Sequence, residues 1–116
     1  MNIQIIGSRK NPATRKCERF FRDRGINYQF VDLDQRGLSA GELSNIAQAL
    51  GVDELIDPDS RSYANRGLAY MEFNPLEEIL ADPLLLRQPI VRDGKRAAVG
   101  YDELLWNAWI KEEGKT

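Results

Sequence analysis

NIQIIGSRKNPATRKCERFFRDRGINYQFVD (residues 2–32) carries the first decision about the fold. Ile3, Ile5 and Ile6 are β-branched and Gly7 closes the run, so Asn2 to Gly7 reads as a short strand. Apolar residues on both of its faces predict a central strand rather than an edge. Asn11-Pro12 then looks like a helix start, because Asn is a good N-cap and proline at the first helical position gives up no needed N–H. Ala13, Cys17, Phe20 and Phe21 follow at helical spacing on one apolar stripe, and Gly25 is a natural stop. Tyr28 to Asp32 reads as a second strand, with Tyr28, Phe30 and Asp32 on one face and Gln29 and Val31 on the other. Strand, crossover helix and strand in this order form a βαβ unit, which predicts a parallel pair.

Further along the chain, Ser39 and Glu42 make a capping-box pattern ahead of Leu43, Ile46, Ala47 and Leu50, and Gly51 ends that helix. Asp53 to Ile56 reads as a short turn of helix broken by Asp57-Pro58-Asp59. Arg61 to Tyr70 suggests a short helix stopped near Gly67. Asn74-Pro75 repeats the cap-plus-proline start, with Leu76, Ile79 and Leu80 as the apolar side and Asp82-Pro83 as the end. Ile90-Val91 reads as a third strand, Asp93-Gly94 as a hairpin turn and Ala97 to Gly100 as the returning strand. Tyr101 to Lys111 predicts a last helix whose inner face is Leu104, Leu105, Ala108 and Trp109, followed by a fraying polar tail from Glu112 to Thr116. No repeat, linker or low-complexity tract interrupts this order. The expectation is one α/β domain over residues 1–116: a four-stranded mixed sheet flanked by helices, with a helical insert between the second and third strands.

Composition narrows the chemistry. The chain has 116 residues, 42% hydrophobic and 29% charged, the balance of a globular protein. Its single cysteine, Cys17, excludes an internal disulfide and fits a reducing compartment. It contains no histidine, which excludes imidazole bases, Ser-His-Asp and Cys-His nucleophiles and the usual zinc sites. No metal site is expected. Met1 to Gly7 lacks a basic leader and no run approaches membrane-spanning length, so the expected location is the cytoplasm, away from membranes.

Three further stretches, Leu85-Leu86-Arg87-Gln88-Pro89-Ile90-Val91, Asp93-Gly94-Lys95-Arg96 and Val99-Gly100-Tyr101, resemble in order and spacing the arsenate reductase (ArsC) and Spx family. Gly51-Val52-Asp53-Glu54-Leu55 is similar to a turn in the same family. The resemblance implies a thioredoxin-like, glutaredoxin-like fold, in which Pro89 would be cis and face the loop before the first helix. It also implies a nucleophilic cysteine in that loop, stabilised as a thiolate by the helix N-terminus. Counted from Gly7, the nucleophile position is Asn11, and the second-cysteine position of Spx-type members is Thr14. Gln88 stands where the family's reductases carry an arginine before the proline. Arg87, one residue earlier, is expected on the other side of the strand. Asp57 and Asp59 occupy a stretch where the family attracts an oxyanion, and they would repel one. Cys17 lies on the apolar stripe and reads as a small core residue.

What remains is a binding question. Ser8, Arg9, Lys10, Asn11 and Arg15 at the helix start, with Gln88 and Pro89, form a candidate site for an anion or a thiol partner. The plainer reading of the same residues is a capped, solvated basic helix. The acidic overall balance argues against nucleic acid, and the local basic face suits an acidic protein partner better. Gly51 and a partly exposed Trp106 are candidate protein contacts. The expected function is therefore a catalytically degenerate family member, a binding or regulatory module with no cofactor. One alternative is a glutathione- or glutaredoxin-dependent reductase of the arsenate reductase type, using Cys17 or bound glutathione. Another is an Spx-like regulator that docks on RNA polymerase through the Gly51 to Leu55 region.

Overall fold

The structure is a computed structural model that describes residues 1–114. Strand β1 (Ile3–Gly7) leads into helix α1 (Pro12–Asp23) and strand β2 (Tyr28–Asp32). The two strands are parallel, with Ile3 opposite Tyr28 and Gly7 opposite Asp32, as the crossover requires. Strands β3 (Ile90–Asp93) and β4 (Arg96–Val99) complete the sheet in the order β2-β1-β3-β4, with β3 antiparallel to both of its neighbours. Between β2 and β3 lies the helical insert: α2 (Ala40–Leu50), α3 (Arg61–Asn65) and α4 (Pro75–Ala81), joined by 3-10 turns at Val52–Glu54, Leu68–Tyr70 and Pro83–Leu85. Helix α5 (Glu103–Glu113) follows the hairpin. This is the thioredoxin-like arrangement, a βαβ unit and a ββα unit sharing a mixed sheet, with the insert where it was expected.

Local chemistry sets these boundaries. The Asn11 side chain accepts from the Thr14 N–H and Pro12 occupies the first helical position. Both halves of the Ser39–Glu42 capping box are present. The predicted Arg61–Tyr70 helix is divided: α3 ends at Asn65, and Gly67 takes a left-handed φ of 67° before the next 3-10 turn. The returning strand begins one residue earlier than predicted, at Arg96, because the hairpin loop is only Gly94-Lys95.

Alternation along β1 feeds two cores. Ile3 and Ile5 join Cys17, Phe20, Phe21, Val91, Ala98, Trp106 and Trp109 on the face covered by α1 and α5. Ile6 joins Val31, Leu43, Ile46, Leu55, Ile79, Leu85 and Ile90 under the insert. Here α5 departs from its predicted inner face. Leu104 is 87% exposed, Leu105 and Ala108 are also exposed, and the buried side is Trp106 and Trp109 with Ile110 partly covered. The hollow beside Phe20 and Phe21 takes an indole rather than a leucine: Trp106 packs at 5.1 and 5.4 Å from those ring centres. Leu80 of α4 is likewise exposed, leaving Ile79 as that helix's buried residue. Glu112 and Glu113, expected in a frayed tail, complete α5 with Gly114 as its C-cap; Lys115 and Thr116 of the expected tail lie outside the described residues.

Candidate functional site

The end of β1 delivers the loop from Ser8 to Asn11 onto the start of α1. The approach is close: a Cβ on Gly7 would lie 2.5 Å from Thr14 Oγ1 and 3.2 Å from Gln88 Oε1, so only glycine fits between strand and helix. Ser8 is buried. Its N–H donates to Gln88 Oε1 at 2.6 Å, its hydroxyl donates to Asp34 Oδ2 at 2.5 Å, and its oxygen accepts from the Lys10 N–H at 3.2 Å. The Asn11 N–H donates to Ser8 O at 3.0 Å, and Asn11 Oδ1 accepts from the Thr14 N–H at 3.0 Å. The Thr14 hydroxyl, fully buried, donates to the same Gln88 oxygen at 3.3 Å. The Gln88-Pro89 bond is cis, Pro89 is buried, and its carbonyl accepts from the Gly100 N–H at 2.8 Å. Ser8, Asn11, Thr14 and Gln88 are therefore tied into one hydrogen-bonded cluster at the start of the helix.

The arginine of the loop is engaged elsewhere. Arg9 Nε and Nη2 donate to the two oxygens of Glu18 at 3.2 and 3.1 Å, and its guanidinium lies 4.2 Å from the Phe30 ring centre. The same carboxylate accepts from the Tyr28 hydroxyl at 2.9 Å. Hydrogen bonding and charge from Glu18 push the Arg9 pKa up, while burial first and then Glu18 push the Tyr28 phenol up. Arg15 Nη1 donates to Arg9 O at 2.8 Å, and Lys10 is exposed. Arg87 has no hydrogen-bonded part in the cluster; its N–H donates to Leu55 O at 2.7 Å and its Nε is buried without an acceptor among the described residues.

Such a cluster has limited chemistry. An anion at a helix start is held by N–H and hydroxyl donors. Here those of Ser8, Asn11 and Thr14 already have neutral or internal acceptors, chiefly the Gln88 carbonyl oxygen. Cys17, in the second turn of α1, is fully buried among the aromatic rings of the α5-side core. Burial first, and the nearby Glu18 charge second, push its pKa from 9.0 up to about 12, so at neutral pH it is a protonated thiol and not a nucleophile. Asp57 is used locally, its Oδ1 accepting from the Asp59 N–H at 2.9 Å. Among the described residues no group of three or more His, Cys, Asp or Glu side chains is placed to hold a metal. No helix there is long and apolar enough to cross a membrane.

Of the two candidate protein contacts, Gly51 is exposed, with a φ of 86° at the end of α2. Trp106 corrects the sequence reading: it is fully buried between Phe20, Phe21 and Tyr101, so it offers no surface to a partner. The sequence reading missed Glu18, Tyr28 and Asp34. For Glu18 a signal existed, since a carboxylate beside Cys17 at the edge of an apolar stripe needs a cation. Tyr28 and Asp34 depend on how strands pair and gave none.

Comparison with known proteins agrees with this architecture. The ArsC family model matches residues 7–109. The global transcriptional regulator Spx 2 of Oceanobacillus iheyensis is 33% identical over 109 residues, covering 89% of this chain and 79% of its own. Among solved structures, the YffB (PA3664) protein superposes with a TM-score of 0.83 at 16% identity, covering 92% of this chain and 97% of its own. An arsenate reductase (ArsC) related protein from Brucella melitensis superposes with a TM-score of 0.70 at 21% identity, covering 96% of each chain. The structural likenesses speak for the fold; the family match and the regulator's identity over most of the sequence establish that this chain belongs to the ArsC/Spx family.

Proposed function

We propose that this protein is an ArsC/Spx-family member without thiol redox chemistry, acting in the cytoplasm as a binding or regulatory module. The observation that carries the reading is the placement of its one thiol. Cys17 is sealed in the core with its pKa pushed up to about 12, while the helix start, where a thiolate would be stabilised, holds the Asn11 amide. In this reading Asn11 stands at the family's nucleophile position and Thr14 at the second-cysteine position. Both side chains serve the fold: one caps α1 and the other ties it to Gln88. Burial of Cys17 also removes the thiol that a reductase alternative would draw from the chain itself.

The test is an assay of arsenate and disulfide reduction with glutathione and glutaredoxin present. The expected result is no turnover above the protein-free blank. Turnover that disappears in Cys17→Ala overturns the proposal. Turnover that survives Cys17→Ala supports instead a reductase that works with the thiol of glutathione.

A regulatory role is favoured by one specific observation: the Oceanobacillus relative, similar over 89% of this chain, carries the name of a global transcriptional regulator. On this reading the exposed turn from Gly51 through Asp53 and Glu54 meets a subunit of RNA polymerase. A pull-down with purified polymerase tests it. Retention that is lost on Asp53→Lys supports docking through this turn, and no retention of any subunit rejects it.

A further inference from the structure

We propose that the outward face of α1 is a docking surface for an acidic segment of another protein, with a ridge of arginines gripping its carboxylates. Arg15, Arg19 and Arg22 stand at i, i+4 and i+7 and so share one stripe, with Lys16 beside it; all four are exposed. Among the described residues Lys16, Arg19 and Arg22 enter no ion pair, although Arg9, Arg36, Arg66 and Arg96 all do. The acid placed to neutralise the ridge, Glu18, is buried and bound by Arg9 and Tyr28. Asp23 and Glu103 remain at one margin. Residues 9–24 hold seven cations and two acids in a chain whose net charge is -2, and four of those cations, Arg15, Lys16, Arg19 and Arg22, stand on α1 itself.

The surface has shape as well as charge. A hollow of about 330 Å³ on one side of the ridge is bordered by Lys16, Arg19, Arg24 and Tyr101, with Asp23 and Glu103 at its edge. A second of about 310 Å³ on the other side is bordered by Arg15, Arg19, Arg22 and Tyr28, with the Arg9–Glu18 ion pair in its wall. Arg19 belongs to both. Leu104, which follows Glu103 of the first hollow's edge on α5, is 87% exposed. Planar guanidinium forks suit carboxylates, and the tyrosines and Leu104 suit an apolar side chain between them. A twelve-residue helix is about 18 Å long, matching five or six residues of extended chain.

Those dimensions favour a protein over a nucleic acid. A duplex carries about one charge per 1.7 Å and would run past the ridge onto the acidic remainder of the chain. A short acidic segment ends where the arginines end. The inference does not depend on whether the protein has thiol chemistry, because the ridge lies on the side of α1 away from buried Cys17.

The experiment titrates the full chain with a labelled six-residue peptide, Glu-Leu-Glu-Glu-Phe-Glu, and in parallel with a short duplex DNA. Expected are saturable peptide binding that weakens with added salt, and a loss of about tenfold or more in Arg15→Glu/Arg19→Glu/Arg22→Glu. The remote control Arg61→Glu/Lys95→Glu should bind as the wild type does. Circular dichroism of both variants confirms that they fold. No peptide binding, equal losses in both variants, or tighter binding of the duplex would each overturn the proposal.

Discussion

Asn11 and Cys17 sit on the same helix less than two turns apart, in opposite surroundings. At Asn11 the helix end is polar and hydrogen-bonded outward through Ser8, Thr14 and Gln88. At Cys17 the helix is packed into aromatic rings, and the sulfur touches nothing that would favour its charge. Thiol chemistry needs a sulfur and a field of donors in one place. This chain has both and keeps them apart. The lesson is that a helix start and a thiol less than two turns along it serve the fold separately, one by capping and the other by packing.

The largest perturbation of this contrast comes from the core side. Trp106→Ala removes the fully buried indole that closes the aromatic cluster around Cys17 and is expected to cost about 3–5 kcal/mol in denaturant unfolding. A change below about 1 kcal/mol would show that the cluster is looser than its packing indicates. Gln88→Ala attacks the polar side. It strips the acceptor from the Ser8 N–H and the Thr14 hydroxyl, and the expected cost is about 1–3 kcal/mol, with no effect on Cys17 reactivity. Asn11→Ala removes only the cap and should cost about 1 kcal/mol, partly restored in Asn11→Ser, which can cap in its place. If Asn11→Ala were instead neutral, the amide would have to owe its place to something other than helix capping.

The effect of pH is absent at neutrality and develops only in alkali. Cys17 has its folded pKa raised, to about 12 from 9.0, so its contribution to stability is complete below pH 9.0. Above that value the unfolded thiol ionises while the folded one does not, and stability is lost progressively up to about pH 12. Unfolding curves of the wild type and Cys17→Ala should therefore diverge only above pH 9.0, the wild type falling faster.

Much of this was legible in the sequence. The strand from Asn2 to Gly7, the Asn11-Pro12 start, the Ser39–Glu42 box and the Asp93-Gly94 turn are local signals, and local backbone chemistry decided them. The order of the elements supplied the mixed sheet to which they belong, and the resemblance at residues 85–101 added its thioredoxin-like form. The inner face of α5 was not legible. Apolar residues occur on both sides of that helix, and the choice of Trp106 over Leu104 and Leu105 depends on a hollow made by Phe20 and Phe21 from far earlier in the chain. At the candidate site, the helix cap at Asn11 and the core position of Cys17 could be read directly. The role of Gln88 as acceptor for Ser8 could not, because it joins residues 80 positions apart and exists only once β1 and β3 pair. Of the Arg9–Glu18–Tyr28 cluster only the need of Glu18 for a cation was readable, since Tyr28 comes beside it only once β2 pairs with β1.

The central claim, that the one thiol of this family member is chemically silent, is tested most directly by the rate at which iodoacetamide alkylates Cys17 at neutral pH in the native protein and in urea. The account predicts very slow labelling of the native protein and rapid labelling only after unfolding. Native labelling as fast as that of the unfolded chain, or faster, would contradict it.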